Sequence, residues 1–310
     1  MSAKHYPVML NECVEMLALK DDGVYFDGTL GFCGHTGEIL KRTKNSVVYA
    51  TDLDQAAIDN AKEVSARFYG RLKVFHDNFR SFSEIKESEN IAGFDGIIVD
   101  LGISSVQVDD RSRGFSYLAE DEPIDMRMDV RQKLSAKDIL NEYSEKQISK
   151  ILYEYGEERF ALKIAENIVR ERQRYPIETC GQLVSIIVKS IPMKFQQNGH
   201  PAKKTFQALR IETNGELDGL EKALRDMVDG LNAHGRLVAL TFNSLEDRIV
   251  KNTFKDLATD CICDKSLPVC VCGRTKKVDL VNKKPITASE KELSENSRSK
   301  SAKLRVVEKV

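Results

Sequence analysis

VYFDGTLGFCGHTG, residues 24–37, decides how the rest of this chain is read. Residues 24–29 form a short buried strand, 30–37 a glycine-rich turn, and a helix runs from about 36 to 44. Glycines at 28, 31, 34 and 37 let the backbone turn sharply and approach a ligand closely. A dinucleotide fingerprint needs G-x-G-x-x-G, but counting from Gly31 the second glycine position is Cys33. The spacing present, G-x-x-G-x-x-G, fits an adenosine cofactor better than NAD. A tight turn needs glycine even without a ligand, so the neighbouring segments must carry the case.

They extend the same pattern. Residues 47–52 (VVYATD), 72–76 and 94–101 (FDGIIVDL) read as strands, the last apolar throughout, as a strand covered on both faces should be. Residues 55–68 have helical apolar spacing at Ala57, Ile58, Ala61 and Val64. Strands alternating with helices predict a parallel, doubly wound sheet. Asp52 ends the second strand, 21 residues after Gly31, where a carboxylate accepts ribose hydroxyls; its ordinary structural role would be a helix cap, which Asp54 can fill instead. Phe79, past the third strand, is placed to lie against an adenine ring, or is simply a core aromatic. Asp100 ends the fourth strand, at the crevice where such sheets bind ligands.

The alternation then stops. From 135 to about 195 the pattern is helical only, with capping boxes at Ser144/Gln147 and Thr179/Gln182 and a break at Tyr175-Pro176. Helical spacing resumes near 205, continues toward 231, and gives way to a strand at 235–242. The reading is an α/β sheet domain, 1–108 with 205–310, carrying an inserted all-helical domain at 109–204. The Lys/Ser-rich tail from 282 is expected to be partly disordered.

Composition excludes several classes. With 41% hydrophobic and 31% charged residues among 310, the chain is an ordinary globular protein. No apolar stretch suits a membrane span and the start carries no signal core, so a cytoplasmic protein is expected. Seven cysteines without a regular framework suit a reducing compartment. A net charge of −1 gives no global pull toward nucleic acid. Yet residues 179–211 contain no Asp or Glu, where the overall frequency would place about five. That run carries Lys189, Lys194, His200, Lys203, Lys204 and Arg210, which suits a polyanion-facing surface; the alternative is a partly buried stretch, since 183–188 is apolar. Cys261, Cys263, Cys270 and Cys272 are spaced C-x-C…C-x-C, unlike the C-x-x-C pairs of common zinc sites. On strands that spacing puts both thiols on one face, so a small buried cluster explains them equally and no metal is assigned.

After Asp100 come ISSVQVDD (103–110), RGFSY (113–117) and PIDMRMD (123–129), polar residues on a loop that read as a site rather than a core. Together with His5-Tyr6-Pro7-Val8-Met9-Leu10, DGTLGFCGH (27–35), DLGISSVQVDD (100–110), GEERFALKIAENIVRER (156–172), HPAKKTFQALRI (200–211), FNSLEDRIVK (242–251) and RSKSAKLR (298–305), they give a near full-length resemblance. The chain resembles the bacterial 16S ribosomal RNA (cytosine-N4)-methyltransferases of the MraW/RsmH type. Three departures stand out: Cys33 where the family usually has glycine, Asn243 where it has histidine, and Lys203-Lys204 in place of Thr-Arg.

The resemblance implies a Rossmann-like class I sheet that binds S-adenosylmethionine (SAM) through Cys33, Gly34, His35, Asp52, Phe79, Asp100 and Gln107. It implies methylation of N4 of a cytosine in the decoding region of 16S rRNA, within the 30S subunit, and neither DNA nor a membrane as partner. Arg113, Arg127, His200, Lys203 and Lys204 are the candidate RNA contacts, joined by the basic tail with Arg298, Lys300, Lys303 and Arg305. Cytosine N4 is a poor nucleophile because its lone pair is conjugated with the ring. Acceptors at its N–H groups would turn that lone pair toward the methyl, and Asp100, Ser104 and Asn243 are the candidates for that catalytic role.

Overall fold

A computed structural model of the chain describes residues 7–197, 199–264 and 269–310. His5 and Tyr6 of the first motif, the opening residues read for a signal core, and Asn198 of the acid-free run lie outside them. The chain divides into two compact units, 1–102 with 219–310, and 103–218.

The first unit is built on a seven-stranded sheet. Its strands are β1 (Val24–Asp27), β2 (Val47–Thr51), β3 (Leu72–Phe75), β4 (Phe94–Asp100), β5 (Leu231–Thr241), β6 (Val278–Leu280) and β7 (Lys303–Lys309), in the order β3-β2-β1-β4-β5-β7-β6. β3 through β5 are parallel, and β7 runs antiparallel to both β5 and β6. The α/β sheet expected from the alternation, of the Rossmann-like class that the resemblance implies, is therefore the observed one. Successive strand residues face opposite sides, and the core splits accordingly. Val48, Ala50, Ile98, Val238 and Leu240 pack with Leu10, Cys13, Ile39, Leu40 and Ala61 of the helices Leu10–Met16, Gly34–Arg42 and Gln55–Arg67. Phe26, Tyr49, Ile97, Val99 and Leu237 pack with Phe82, Leu224, Met227, Val250 and Phe254 of the helices Phe82–Ser88, Leu220–Asp229 and Ser244–Leu257. Phe26, Phe82 and Phe94 pack with ring centroids 5.1–5.7 Å apart, Phe26 edge-on to the other two and Phe82 tilted against Phe94.

The tail departs from expectation. Far from disordered, 303–309 is a strand inside the sheet, with Leu304, Val306 and Val307 buried. Arg305 is buried too, its Nε 2.7 Å from Asp247 Oδ1, and Lys303 reaches Asp247 Oδ2 at 3.1 Å. Arg305 is thus held inside the fold rather than free to grip RNA, whereas Lys303, though ion-paired, keeps part of its side chain in solvent. Arg298 and Lys300 stay exposed.

The second unit is helical, with helices Ser105–Asp109, Ala136–Glu142, Glu145–Glu154, Ala161–Arg172, Cys180–Ser190 and Lys203–Asn214. Four of them start in capping boxes: Ser104/Gln107, Ser135/Asp138, Ser144/Gln147 and Thr179/Gln182. Each satisfies orphan backbone N–H groups and stabilises its helix by about 1 kcal/mol. The helix Lys203–Asn214 packs on Ala136–Glu142 and Glu145–Glu154 and so lies in this unit, whose limits are 103 and 218, whereas the sequence pattern assigns 205 onward to the sheet domain. No helix among the described residues is long and apolar enough to cross a membrane.

Candidate cofactor site and basic surface

Parallel strands bring their carboxyl ends to one edge of the sheet, and β1, β2 and β4 each end there at or beside an aspartate. Asp27 is buried, accepting from Thr36 Oγ1 (2.6 Å) and Thr29 N (3.1 Å); burial pushes its carboxyl up to about 6. Thr29 Oγ1 in turn accepts from Asp100 N at 2.6 Å, tying the ends of β1 and β4 together. Asp52 receives Gly31 N on Oδ2 (2.7 Å) and Asp54 N on Oδ1 (2.8 Å), so it clamps the glycine turn to the end of β2. Asp54, not Asp52, caps the next helix, accepting from Ala56 N at 3.0 Å. Each Asp52 oxygen keeps a second lone pair for a ligand hydroxyl. Burial raises this carboxyl above the usual carboxylate range.

At two of its glycines the turn has no room for a side chain. A Cβ at Gly28 would lie 2.9 Å from both Phe79 Cβ and Val99 Cγ1, and one at Gly34 would lie 2.1 Å from Pro7 Cγ. Cys33 sits at φ 62°, the left-handed region where glycine is the easy residue, at a cost of about 1 kcal/mol. Its thiol is buried and accepts from Asn60 Nδ2 at 3.7 Å; burial pushes it up to about 12, so it is no nucleophile.

Asp100 is the electrostatic centre. Its Oδ1 is enclosed and has no hydrogen-bond partner among the described residues, while 27% of the side chain remains accessible. Burial, reinforced by the charges of Asp27 and Glu246, pushes this carboxyl up to about 8. His35 Nδ1 lies 3.9 Å from Asp100 Oδ2 but is no counter-ion, because burial lowers the imidazole to about 4 and leaves it neutral. Asp27, Thr29 and Glu246 are not among the residues the sequence pattern singles out. Glu246 caps the start of the helix Ser244–Leu257 through Phe242 N and Asn243 N (3.0 and 3.3 Å), and the N-x-x-E spacing announces it.

The other candidates have structural duties. Asn243 Oδ1 accepts from Leu245 N and Glu246 N, both at 3.0 Å, which leaves buried Nδ2 without a partner among the described residues. Asn243 therefore presents a donor, not the acceptor expected. In the second unit Ser104 Oγ accepts from Gln107 N (3.2 Å) and Gln107 Oε1 from Ser104 N (3.0 Å). Arg113 donates to the carbonyls of Arg127 (2.8 Å) and Met128 (3.2 Å). Arg127 forks onto Asp125 at 2.7–3.2 Å and reaches Gln132 O at 3.0 Å. These two arginines shape their loop with the donors that RNA would need.

The basic surface of the second unit is clearer. Lys203 and Lys204 are exposed, Lys204 Nζ donating to Glu157 O at 2.8 Å. His200 stacks on Tyr117 at 4.4 Å. Arg159 lies over Phe195 at 4.5 Å and Lys194 over the same ring at 5.0 Å, a cationic and aromatic grouping that no sequence motif announces. Leu183, Ile186 and Ile187 of the acid-free run are buried, so only part of that run faces solvent.

The donor set suits SAM: an enclosed carboxylate oxygen lacking a donor, and a second carboxylate with spare lone pairs beside a glycine-rich turn. Comparison with known proteins agrees. The profile of the MraW methylase family matches residues 2–310. "Ribosomal RNA small subunit methyltransferase H" of Clostridioides difficile (strain 630) is 48% identical over 312 residues, covering all of both chains. That of Clostridium botulinum (strain Kyoto / Type A2) is 50% identical over 311 residues, again covering all of both chains. "Ribosomal RNA small subunit methyltransferase H 2" of Agathobacter rectalis is 49% identical, covering all of this chain and 99% of its own.

Proposed function

This chain belongs to the MraW methylase family, a SAM-dependent methyltransferase family, and from that premise we propose that it methylates N4 of a cytosine in the decoding region of 16S rRNA. The observation that carries the reading is Asp100, whose enclosed Oδ1 stands without a donor at the end of β4, beside a glycine turn clamped by Asp52.

SAM, when bound, supplies an electrophilic methyl and its own leaving group, so the protein's task is binding and orientation. Asp52 accepts from ribose hydroxyls, and the turn at 28–37 admits the cofactor against backbone. Phe79, Cys33, Gly34 and His35 line this edge, and Gln107 is the further contact carried over from the family. Asp100 accepts hydrogen bonds at its enclosed oxygen, either from the cofactor or from the cytosine amino group. Asn243 holds out an amide donor suited to a ring nitrogen or carbonyl of the base. Ser104 keeps its hydroxyl proton for donation. The unit 103–218 grips RNA through Lys203, Lys204 and His200, with Lys194, Arg159 and Phe195 adding charge and a stacking face. Unstacking the target base costs a few kcal/mol, offset by these contacts.

Methyl transfer from labelled SAM to isolated 30S subunits tests the proposal, with nucleoside mass spectrometry of the product. One methyl on the cytosine exocyclic nitrogen is expected. A methyl on ribose or on cytosine C5 would overturn it; the latter normally needs an attacking thiolate, and the sequence 100–110 holds no cysteine.

A further inference from the structure

Between the helix Ser244–Leu257 and edge strand β6 the chain makes an excursion closed at its base by Lys277 N to Leu257 O (2.8 Å), Lys276 N to Asp260 Oδ1 (3.1 Å) and the Arg274–Asp256 ion pair (2.8 Å). Four free cysteines, Cys261, Cys263, Cys270 and Cys272, converge on it with all sulfurs within 4.8 Å of one another. We propose that these four thiolates bind a single zinc ion as a structural centre.

The packing argues against a hydrophobic cluster, the ordinary explanation for gathered cysteines. In such a cluster the aliphatic side chains would turn inward with the sulfurs. Here Ile262, Val269 and Val271 point out, 66%, 69% and 77% exposed, while the weakly polar thiols turn toward one another at the surface. In each C-x-C arm the two sulfurs lie on one side, within the cluster, while the middle residue is exposed to solvent. Burial of apolar surface does not account for that choice of side; a ligand held by sulfur does.

The spacing fits. Sulfur–sulfur distances of 3.4, 3.5, 3.8 and 3.9 Å are found for the pairs 261–270, 270–272, 261–272 and 263–270. A tetrahedral centre with metal–sulfur bonds of about 2.3 Å has edges of about 3.8 Å. Cys263 N donates to Cys261 Sγ and Val271 N to Cys263 Sγ, both at 3.4 Å, so backbone dipoles support negative charge on sulfur. Four soft thiolates in a closed set select zinc over hard cations, and leave no position for catalysis. Binding releases the thiol protons to solvent.

The test is metal analysis of the full chain purified under reducing conditions without affinity-tag metals, followed by cobalt titration of chelator-stripped protein. About one zinc per chain and a tetrahedral thiolate–cobalt spectrum saturating at about one equivalent are expected. Cys270→Ser should lower zinc content by about tenfold, while Cys180→Ser, a buried thiol elsewhere, should leave it unchanged. A reduced chain that takes up no cobalt, or one whose four cysteines are found paired in disulfides when purified anaerobically, would overturn the proposal.

Discussion

Asp100→Asn should stabilise the ligand-free protein while abolishing methyl transfer, and should do so with a distinctive pH dependence. Asparagine keeps the side chain's shape and removes its charge. Burial holds the Asp100 carboxyl near 8 in the folded chain, against 3.8 when unfolded. Between those values the folded state retains a proton that the unfolded chain has lost, so this group's contribution to stability falls as pH rises from about 4 to about 8 and is constant above. At about 1.4 kcal/mol per unit, a shift of about four units sets a ceiling of about 6 kcal/mol. Because 27% of the side chain meets solvent, the realised penalty should be nearer 2 kcal/mol. Asp27, near 6, titrates in both proteins and cancels to first order in their difference. Urea unfolding followed by circular dichroism should show the variant ahead by about 2 kcal/mol at pH about 8, and by about 0.5 kcal/mol at pH about 5. Saturating SAM should stabilise the parent more than the variant at the higher pH, because only the parent has a carboxylate to satisfy. A variant equally or less stable than the parent at both pH values would refute the reasoning.

Asp52→Ala should weaken SAM binding by about 1.5–3 kcal/mol, the value of a charge-assisted hydrogen bond, when measured by calorimetry; unchanged affinity would remove Asp52 from the site. Replacing Lys203 and Lys204 with alanine should flatten the salt dependence of RNA binding by about one unit of slope for each phosphate no longer neutralised, with SAM affinity unaffected, and a normal slope in filter binding would count against this surface. Asp247→Ala should cost about 3–5 kcal/mol in denaturant unfolding, because it strands buried Arg305 on β7 without its counter-ion. A loss below about 1 kcal/mol would show that the pair does not hold β7 in place.

Most of the sheet is legible because parallel strands buried on both faces are short apolar runs, and the segments 24–29, 47–52, 72–76 and 94–101 each contain their observed strand up to a residue or so at the ends. β7 is not legible. Its sequence KLRVVEK reads as a charged tail, and Arg305 looks exposed unless its partner is known. That partner, Asp247, lies 58 residues earlier on another element, a separation no local pattern reports. β6 spans only Val278–Leu280 and offers too few residues for a periodicity. The helix Lys203–Asn214 is recognisable, but its apolar face does not say which core receives it. Its packing on two helices of the second unit settles that in three dimensions only.

For the site, topology makes Asp52 and Asp100 readable, since a parallel sheet must deliver the residues after its strands to one edge. Ser104 and Asn243 look like acceptors when each is read alone, but their spacing marks them as caps. Ser-x-x-Gln and Asn-x-x-Glu are the same pattern seen at Ser144/Gln147, and a side-chain oxygen that accepts backbone N–H groups has less to give a substrate. Asn243 is left with a donor, which cannot draw on a cytosine amino proton. The acceptor role proposed above therefore rests on Asp100. Near 8, its carboxyl is largely protonated at neutral pH in the empty protein and would accept poorly there. A positive charge bound beside it favours the ionised form and brings the carboxyl down again. On the proposed reading, the acceptor would be made ready by the arrival of the cationic methyl donor rather than held charged beforehand.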